Sequence, residues 1–348
     1  MLYRPDVDEV VERYRRYWAG EMRDQVLILA TLAGEDIFAS WLGWPSYEDT
    51  FARFDAFFQH RLGIEDDTIP VALPGLGLGP WGGMFGAEVT LMPSASSSIP
   101  FPSIQAVLDL VLDKENYWVK RQLDSVAYFC EHAKGRFAVA PAETISGVNV
   151  LYALRGSEVF ADLAEDPEAC LKVIDLVRPI GIWMAEEQKK MTGSYRGGVF
   201  DHWQVWLPGN PVWFSVDMNS LCSPAYYDRF GFHDTQAFLD HFGGGFIHVH
   251  KPTGLYLLPQ LVKHRHVAGF EFYHDLGSLE TCFTGLREIR DMVGTGLLVD
   301  CDFAQFTAQL EQKTLPGGII YEVKNCPGAA AANELVARAR AYRDPGVD

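Results

Sequence analysis

Short apolar runs recur along the whole chain, and most of them are followed by a stretch with helical spacing. Val26 to Leu32, Ile69 to Leu73, Arg136 to Pro141, Gly198 to Val205 and Trp213 to Asp217 are five such runs. Gly245 to His250, Val267 to Tyr273, Leu297 to Cys301 and Gly318 to Val323 are four more. Continuous apolar strands alternating with helices belong to parallel sheets whose two faces are both covered. The helical partners carry their own signals. Val10, Val11, Tyr14 and Trp18 make one apolar stripe over Asp8 to Ala19. Asp166-Pro167-Glu168 sets an N-cap before a first-turn proline, with a helix expected to run to about Met191, and Ser223-Pro224 repeats the pattern. Further helices are expected around Ser46 to Leu62, Ile104 to His132 and Ala329 to Tyr342. At 348 residues, with no repeat or linker, this pattern predicts an α/β fold in one domain spanning 1–348, a (β/α)8 TIM barrel with residues 1–65 as its lead-in. A doubly wound open sheet is the alternative.

Charge narrows the partners. Lys plus Arg number 29 and Asp plus Glu 46, a formal charge of -17, which disfavours nucleic acid and anionic membrane surfaces. The N-terminus is charged and amphipathic without a signal-peptide core, so a cytoplasmic location is expected. The six Cys are scattered and predict core thiols or ligands, not a disulfide framework.

The segment PGLGLGPWGGMFG places Gly77, Gly79 and Gly82 at GxGxxG spacing, but Pro80 and Trp81 stand where a phosphate-binding helix should begin. A loop is expected here, a candidate lid with Trp81 and Met84 as substrate-facing apolar surface. FIHVHKPTG is more informative. His248 and His250 are two apart at the end of an apolar run, and residues i and i+2 of a strand share a face. Two imidazoles there make half of a zinc site; two hydrogen-bonded core histidines would show the same spacing. Zinc needs a third donor, and thiolate suits it. Cys326, after the last apolar run, is the candidate, with Cys301 its rival. Acids also close the runs: Asp201, Asp217, Glu271, Asp275, Asp300 and Asp302. Asp217 and Glu271 are the candidate catalytic groups, as general acid or base or as orienters of the histidines. His202, His274 and Trp203 beside these acids are candidate substrate contacts, and the Trp206 and Trp213 rings crowd the same loop.

Four segments carry a resemblance. RYRRYWAGEMRDQVLIL, LRGSEVFADLAEDPE, SVDMNSLCSPAYYDRF, and FIHVHKPTG together with GGIIYEVKNCPGAAAANEL resemble the uroporphyrinogen decarboxylase superfamily, in its branch of corrinoid-linked methyltransferases. The resemblance implies a (β/α)8 barrel. It implies a zinc ion held by His, Cys and a late Cys that activates a thiol. His248 then matches the first ligand, His250 stands where the family has Cys, Cys326 matches the late Cys, and Lys251 replaces a Gly. Two imidazoles and one thiolate still make a zinc site with an open position, one that favours Lewis acidity over electron donation. The family's Arg-Gln-Ala-Gly-Arg-Tyr stretch, which grips tetrapyrrole carboxylates, has no counterpart, so porphyrinogen decarboxylation ranks low. The expected function is therefore zinc-dependent methyl or alkyl transfer to a thiol or similar small substrate, with a corrinoid protein or small methyl donor as partner. A metal-free decarboxylase or lyase using Asp217, and a non-catalytic binding homologue, are the alternatives.

Overall fold

The computed structural model describes residues 1–35, 46–75, 77–92, 95–251, 253–274, 282–294 and 296–347. Asp275 lies outside them. In chain order the strands are β1 (Val26–Leu32), β2 (Val71–Ala72), β3 (Val89–Met92), β4 (Ala95–Ser98), β5 (Ala138–Val139), β6 (Thr144–Ile145), β7 (Gly198–Phe200), β8 (Trp206–Pro208), β9 (Val212–Ser215), β10 (Gly245–Lys251), β11 (Val267–His274), β12 (Gly296–Asp302) and β13 (Ile319–Cys326).

Seven of these form one parallel sheet in the order β1-β13-β12-β11-β10-β9-β6. β2 and β5 pair in parallel beside it. Side chains and main chain bridge from β1 toward β2: Asp67 N donates to Ile28 O at 2.7 Å, and Asp66 and Asp67 carboxylates accept from Ala30 N and Ile28 N at 2.8 and 2.9 Å. The result is an α/β, barrel-like architecture. The chain's last and first strands are neighbours, as the alternation predicts; the run expected over Gly198 to Val205 instead folds with Trp206–Pro208 into the antiparallel pair β7-β8 outside the main sheet.

Alternation along each strand separates two cores. Ile247 and Val249 of β10 pack with Phe270, Phe272, Val299 and Tyr321 against the helices. Phe246 faces the other way, with Leu27, Leu298 and Ile320. This second core is plugged by the first helix, Val7–Trp18, whose Val10, Val11 and Tyr14 join it. The Trp18 ring meets Phe246 edge-on at 6.1 Å, and a Cβ on Gly296 would collide with that indole, so only glycine lets helix and sheet approach so closely.

Of the two caps read from sequence, Asp166 forms and Ser223 does not: the short helix Pro224–Tyr226 begins without a side-chain capping bond from it. Ser46 accepts from Asp49 N at 3.1 Å, and Asp166 accepts from Ala169 N at 3.2 Å to open the helix Pro167–Thr192. The helix expected over Ile104 to His132 is two helices, Ile104–Leu108 and Tyr117–His132, because Asn116 caps a fresh start by accepting from Trp118 N at 2.7 Å. The glycine-rich segment is corrected more sharply. It is a buried short helix, Gly79–Gly83, with Pro80 in its first turn. A Cβ on Gly79 would lie 2.8 Å from Ser97 N, so that glycine serves close packing on the β3-β4 hairpin. Trp81 and Met84 are 6% and 2% exposed and pack with Leu151, Leu154 and Met184; they are core, not lid. No described helix is long and apolar enough to cross a membrane.

Candidate metal centre

At the C-terminal end of the sheet the inner face changes character. One ladder row runs Ser215, His248, Glu271, and the next pairs His250 with Tyr273. The i, i+2 spacing does put both imidazoles on the inner face. His248 Nε2 and His250 Nε2 are 3.2 Å apart. Asp217 follows β9 on the one-turn helix Asp217–Leu221 and brings Oδ1 to 3.5 Å from each of those nitrogens. That oxygen is buried and accepts no hydrogen bond. Among the described residues, Asp217, His248 and His250 are the group able to close on a metal ion.

The triangle of 3.2, 3.5 and 3.5 Å has a chemical meaning. Zinc takes nitrogen and oxygen donors at about 2.0–2.1 Å, so neighbouring donors of a tetrahedral shell lie about 3.3 Å apart. The three atoms already stand at that separation. The side chains of Asp217 and His250 are 31% and 27% exposed while that of His248 is 8% exposed, so the side of the cluster away from the sheet is open.

The surroundings fix these groups in place. Glu271 Oε2 bonds His248 Nδ1, which puts the proton on Nδ1 and leaves the Nε2 lone pair directed at the cluster. Burial pushes the Glu271 carboxyl above its usual range, and the neighbouring imidazole partly offsets this. The Trp203 ring stacks on His248 at 5.9 Å and 16°, and Trp213 flanks it at 5.3 Å. Tyr273 closes on His250 at 5.7 Å. Asp217 is held from behind by Asn149, which is 2% exposed on the helix Gly147–Arg155. Asn149 accepts from Met218 N at 3.0 Å and donates to Ser215 Oγ at 3.1 Å, gripping the chain on both sides of Asp217.

The expected thiolate ligand does not join the cluster. Residues 320, 322 and 324 of β13 point inward by alternation, which would bring Cys326 inward too. Asn325 has φ +63, and the register slips from Ala30↔Val323 to Leu32↔Cys326. This bulge turns Cys326 into the helix-side core, where its Sγ donates to Val323 O at 3.4 Å and burial pushes its thiol up to about 12. Its rival Cys301 is fully buried in the same core, its thiol also raised by burial. Asp217, expected to orient the histidines or carry a proton, brings Oδ1 to the pair at 3.5 Å where Cys326 was expected. Glu271, expected to be catalytic, is engaged with His248.

The remaining candidates divide. Trp203 is at the cluster. His202 is buried against Trp213 at 4.3 Å, and burial holds its imidazole well below the usual range. His274 lies one step beyond the cluster, its ring and main-chain N both on Asp300, which also takes Lys324 Nζ at 2.6 Å. Beyond Trp203 and Tyr273, a cleft of ≈ 250 Å³ opens between β1, β13 and the loop at His202. Sequence reading missed Asn149, Glu322 and Lys324. The last two stand in the run GGIIYEVKN at alternate positions, a signal that a strand read as buried was polar on one face.

No family model matches the chain, and no curated protein sequence does. Among solved structures, a methyltransferase from Methanosarcina mazei superposes with a TM-score of 0.63 over 95% of this chain and 98% of that one, at 12% sequence identity. The likeness is one of fold, and it extends over nearly the whole of both chains.

Proposed function

We propose that this protein is a zinc-dependent methyl or alkyl transferase acting on a small substrate at the Asp217-His248-His250 cluster. One observation carries the reading: three donor atoms from β10 and the turn after β9 converge at 3.2–3.5 Å, with a buried carboxylate oxygen among them that nothing else satisfies. The likeness to a methyltransferase supports the same reaction class by fold analogy.

His248, His250 and Asp217 would hold the ion. Bound there, zinc would supply Lewis-acid activation of a thiol or other small nucleophile in its open position. The protein's own groups do the rest. Glu271 holds the His248 proton at Nδ1 and fixes the ring. Asn149 fixes the turn that carries Asp217. Trp203 and Trp213 cover His248 and exclude water from that side. A donor set of two imidazoles and one carboxylate carries one negative charge, which favours Lewis acidity over electron donation. A corrinoid protein or a small methyl donor then approaches from the exposed Asp217-His250 side. The metal-free lyase reading has less to stand on, because it needs Asp217 for its proton, and Asp217 Oδ1 is set 3.5 Å from each of two imidazole nitrogens.

Equilibrium dialysis against zinc tests this. The intact protein is expected to take up one ion per chain. The His250→Ala variant is expected to lose at least about a hundredfold in affinity, beyond what loss of an outer partner costs. Equal uptake by both proteins would remove the cluster as the site.

A further inference from the structure

The charged groups lining the cleft beside the cluster leave no net charge for a ligand to meet. Arg61 pairs with Glu35 at 2.7 Å, and Lys324 stands 3.8 Å from Glu322. The remaining oxygens of those acids, Glu35 Oε1 and Glu322 Oε2, are buried. A charged guest would lose its water without gaining a free counter-charge, so these walls favour an uncharged one.

Two neutral side chains of the cleft do have hydrogen bonds to offer. Gln204 is 9% exposed and lines the open space. Its main chain is fully engaged, N donating to Asp201 O at 2.9 Å and O accepting from Ile69 N at 2.9 Å. Among the described residues its carboxamide has no hydrogen-bond partner, and its polar atoms are not sealed off from the cleft. His202 lines the same space, with Nδ1 3.8 Å from Asp201 Oδ1, beyond hydrogen-bond reach. Burial keeps that ring neutral, so it offers one N–H and one lone pair.

The backbone adds an independent observation. Gln204 has φ +63 in the turn between β7 and β8, where Asp201 N donates to Val205 O at 3.0 Å. Left-handed turn positions ordinarily carry glycine, or asparagine with a local side-chain bond. Glutamine holds strain there that no bond of its own side chain offsets, and strain of this kind gathers at ligand clamps. Trp203, between the two polar residues, stacks on His248, so one loop serves both cleft and cluster.

We infer that this cleft binds a small uncharged amide or lactam, whose N–H and C=O pair with the carboxamide of Gln204. A carboxamide presents donor and acceptor side by side in one plane, and a primary amide or a lactam presents the complement. Leu29, Leu32 and Phe57 line the same space and suit the guest's hydrocarbon. The volume of ≈ 250 Å³ limits it to a small molecule. Assigning the amide as the substrate of the cluster rests on the proposed transferase reading; its binding in the cleft does not.

Saturation-transfer NMR titration with 2-pyrrolidinone tests the inference. N-methyl-2-pyrrolidinone lacks the donor, pyrrolidinium chloride is the cationic comparison and sodium cyclopentanecarboxylate the anionic one. Saturable binding of 2-pyrrolidinone is expected, at least about tenfold tighter than each comparison, because a site built around a donor–acceptor pair rejects analogues that lack one member. Gln204→Gly removes both the carboxamide and the strain, so it is expected to melt no lower than the natural protein and to bind the lactam at least about tenfold more weakly. Gln204→Glu keeps the shape without the N–H donors and is expected to weaken binding similarly. Melting by circular dichroism identifies a variant that has not folded, and the other variant then decides. No saturable lactam binding, equal or tighter binding of either ion or of the N-methyl compound, or lactam binding unchanged in the folded variants overturns the inference. Zinc dialysis on the same samples separates the two claims. Lactam binding lost in Gln204→Gly while zinc uptake is kept supports both; zinc uptake without lactam binding in the intact protein sinks only the inference about the cleft, and lactam binding without zinc uptake sinks only the metal reading.

Discussion

The two ends of one sheet face obey opposite rules. Near the first helix, Phe246, Leu27, Leu298 and Ile320 bury apolar surface against Trp18 and its neighbours. Two residues further along, β10 presents His248, β11 presents Glu271, and β12 and β13 present Asp300 and Glu322. Two of these polar groups, Glu271 and Asp300, are as deeply buried as the phenylalanine, both 0% exposed. The first end stabilises the fold by removing hydrocarbon from water. The second end carries a desolvation cost that ion pairs and hydrogen bonds offset only in part, as the unpartnered oxygens of Asp217, Glu271 and Glu322 show. Unsatisfied polar groups gathered on a sheet face at its C-terminal end organise that end for binding.

Perturbing each end separately should sharpen the contrast. The largest effect on stability is expected from Phe246→Ala, about 3–5 kcal/mol for a fully buried ring, with zinc affinity per folded molecule unchanged. Denaturant titration and dialysis on the same sample measure both. At the polar end the sign reverses. Burial raises the Asp201 carboxyl from 3.8 to about 7, against the hydrogen bond it accepts from Trp203 N. A carboxyl with a raised folded pKa stabilises fully below its unfolded pKa, and that contribution is lost as pH rises toward 7. Across this window the stability of the natural protein should therefore fall relative to Asp201→Asn, by on the order of 4 kcal/mol in total. Parallel stability curves for the two proteins would break the comparison. Glu271→Gln should change stability least, since the amide oxygen still accepts from His248 Nδ1, yet it should weaken zinc binding about 10–100-fold by reducing the basicity of that imidazole.

Much of the first end was legible in the sequence, because apolar runs and caps are local signals. Val26–Leu32 is found at the bounds its side chains imply, and Asp166-Pro167 opens its helix. The His248-x-His250 pair was legible for the same reason, since strand alternation alone puts both rings on one face. What the sequence hid depends on long-range geometry. The bulge at Asn325 that turns Cys326 away is a backbone event of a single residue, and it exchanges the expected thiolate for Asp217, a residue 109 positions earlier than Cys326. Asn149 grips that Asp217 turn from a helix that no periodic signal had marked. Gly79 and Gly82 spelled a nucleotide motif but are glycines because the β3-β4 hairpin and Ala153 O lie against them. Trp81 was expected in a pocket because it is a large ring in a glycine-rich stretch; the same glycines let it sink into the core instead.

X-ray absorption on the zinc-loaded protein probes the donor set itself. Nitrogen and oxygen neighbours alone at about 2.0–2.1 Å, with imidazole outer-shell scattering and the same spectrum from Cys326→Ser, are the predicted result. A sulfur neighbour at about 2.3 Å that vanishes in Cys326→Ser would contradict the Asp217-His248-His250 assignment.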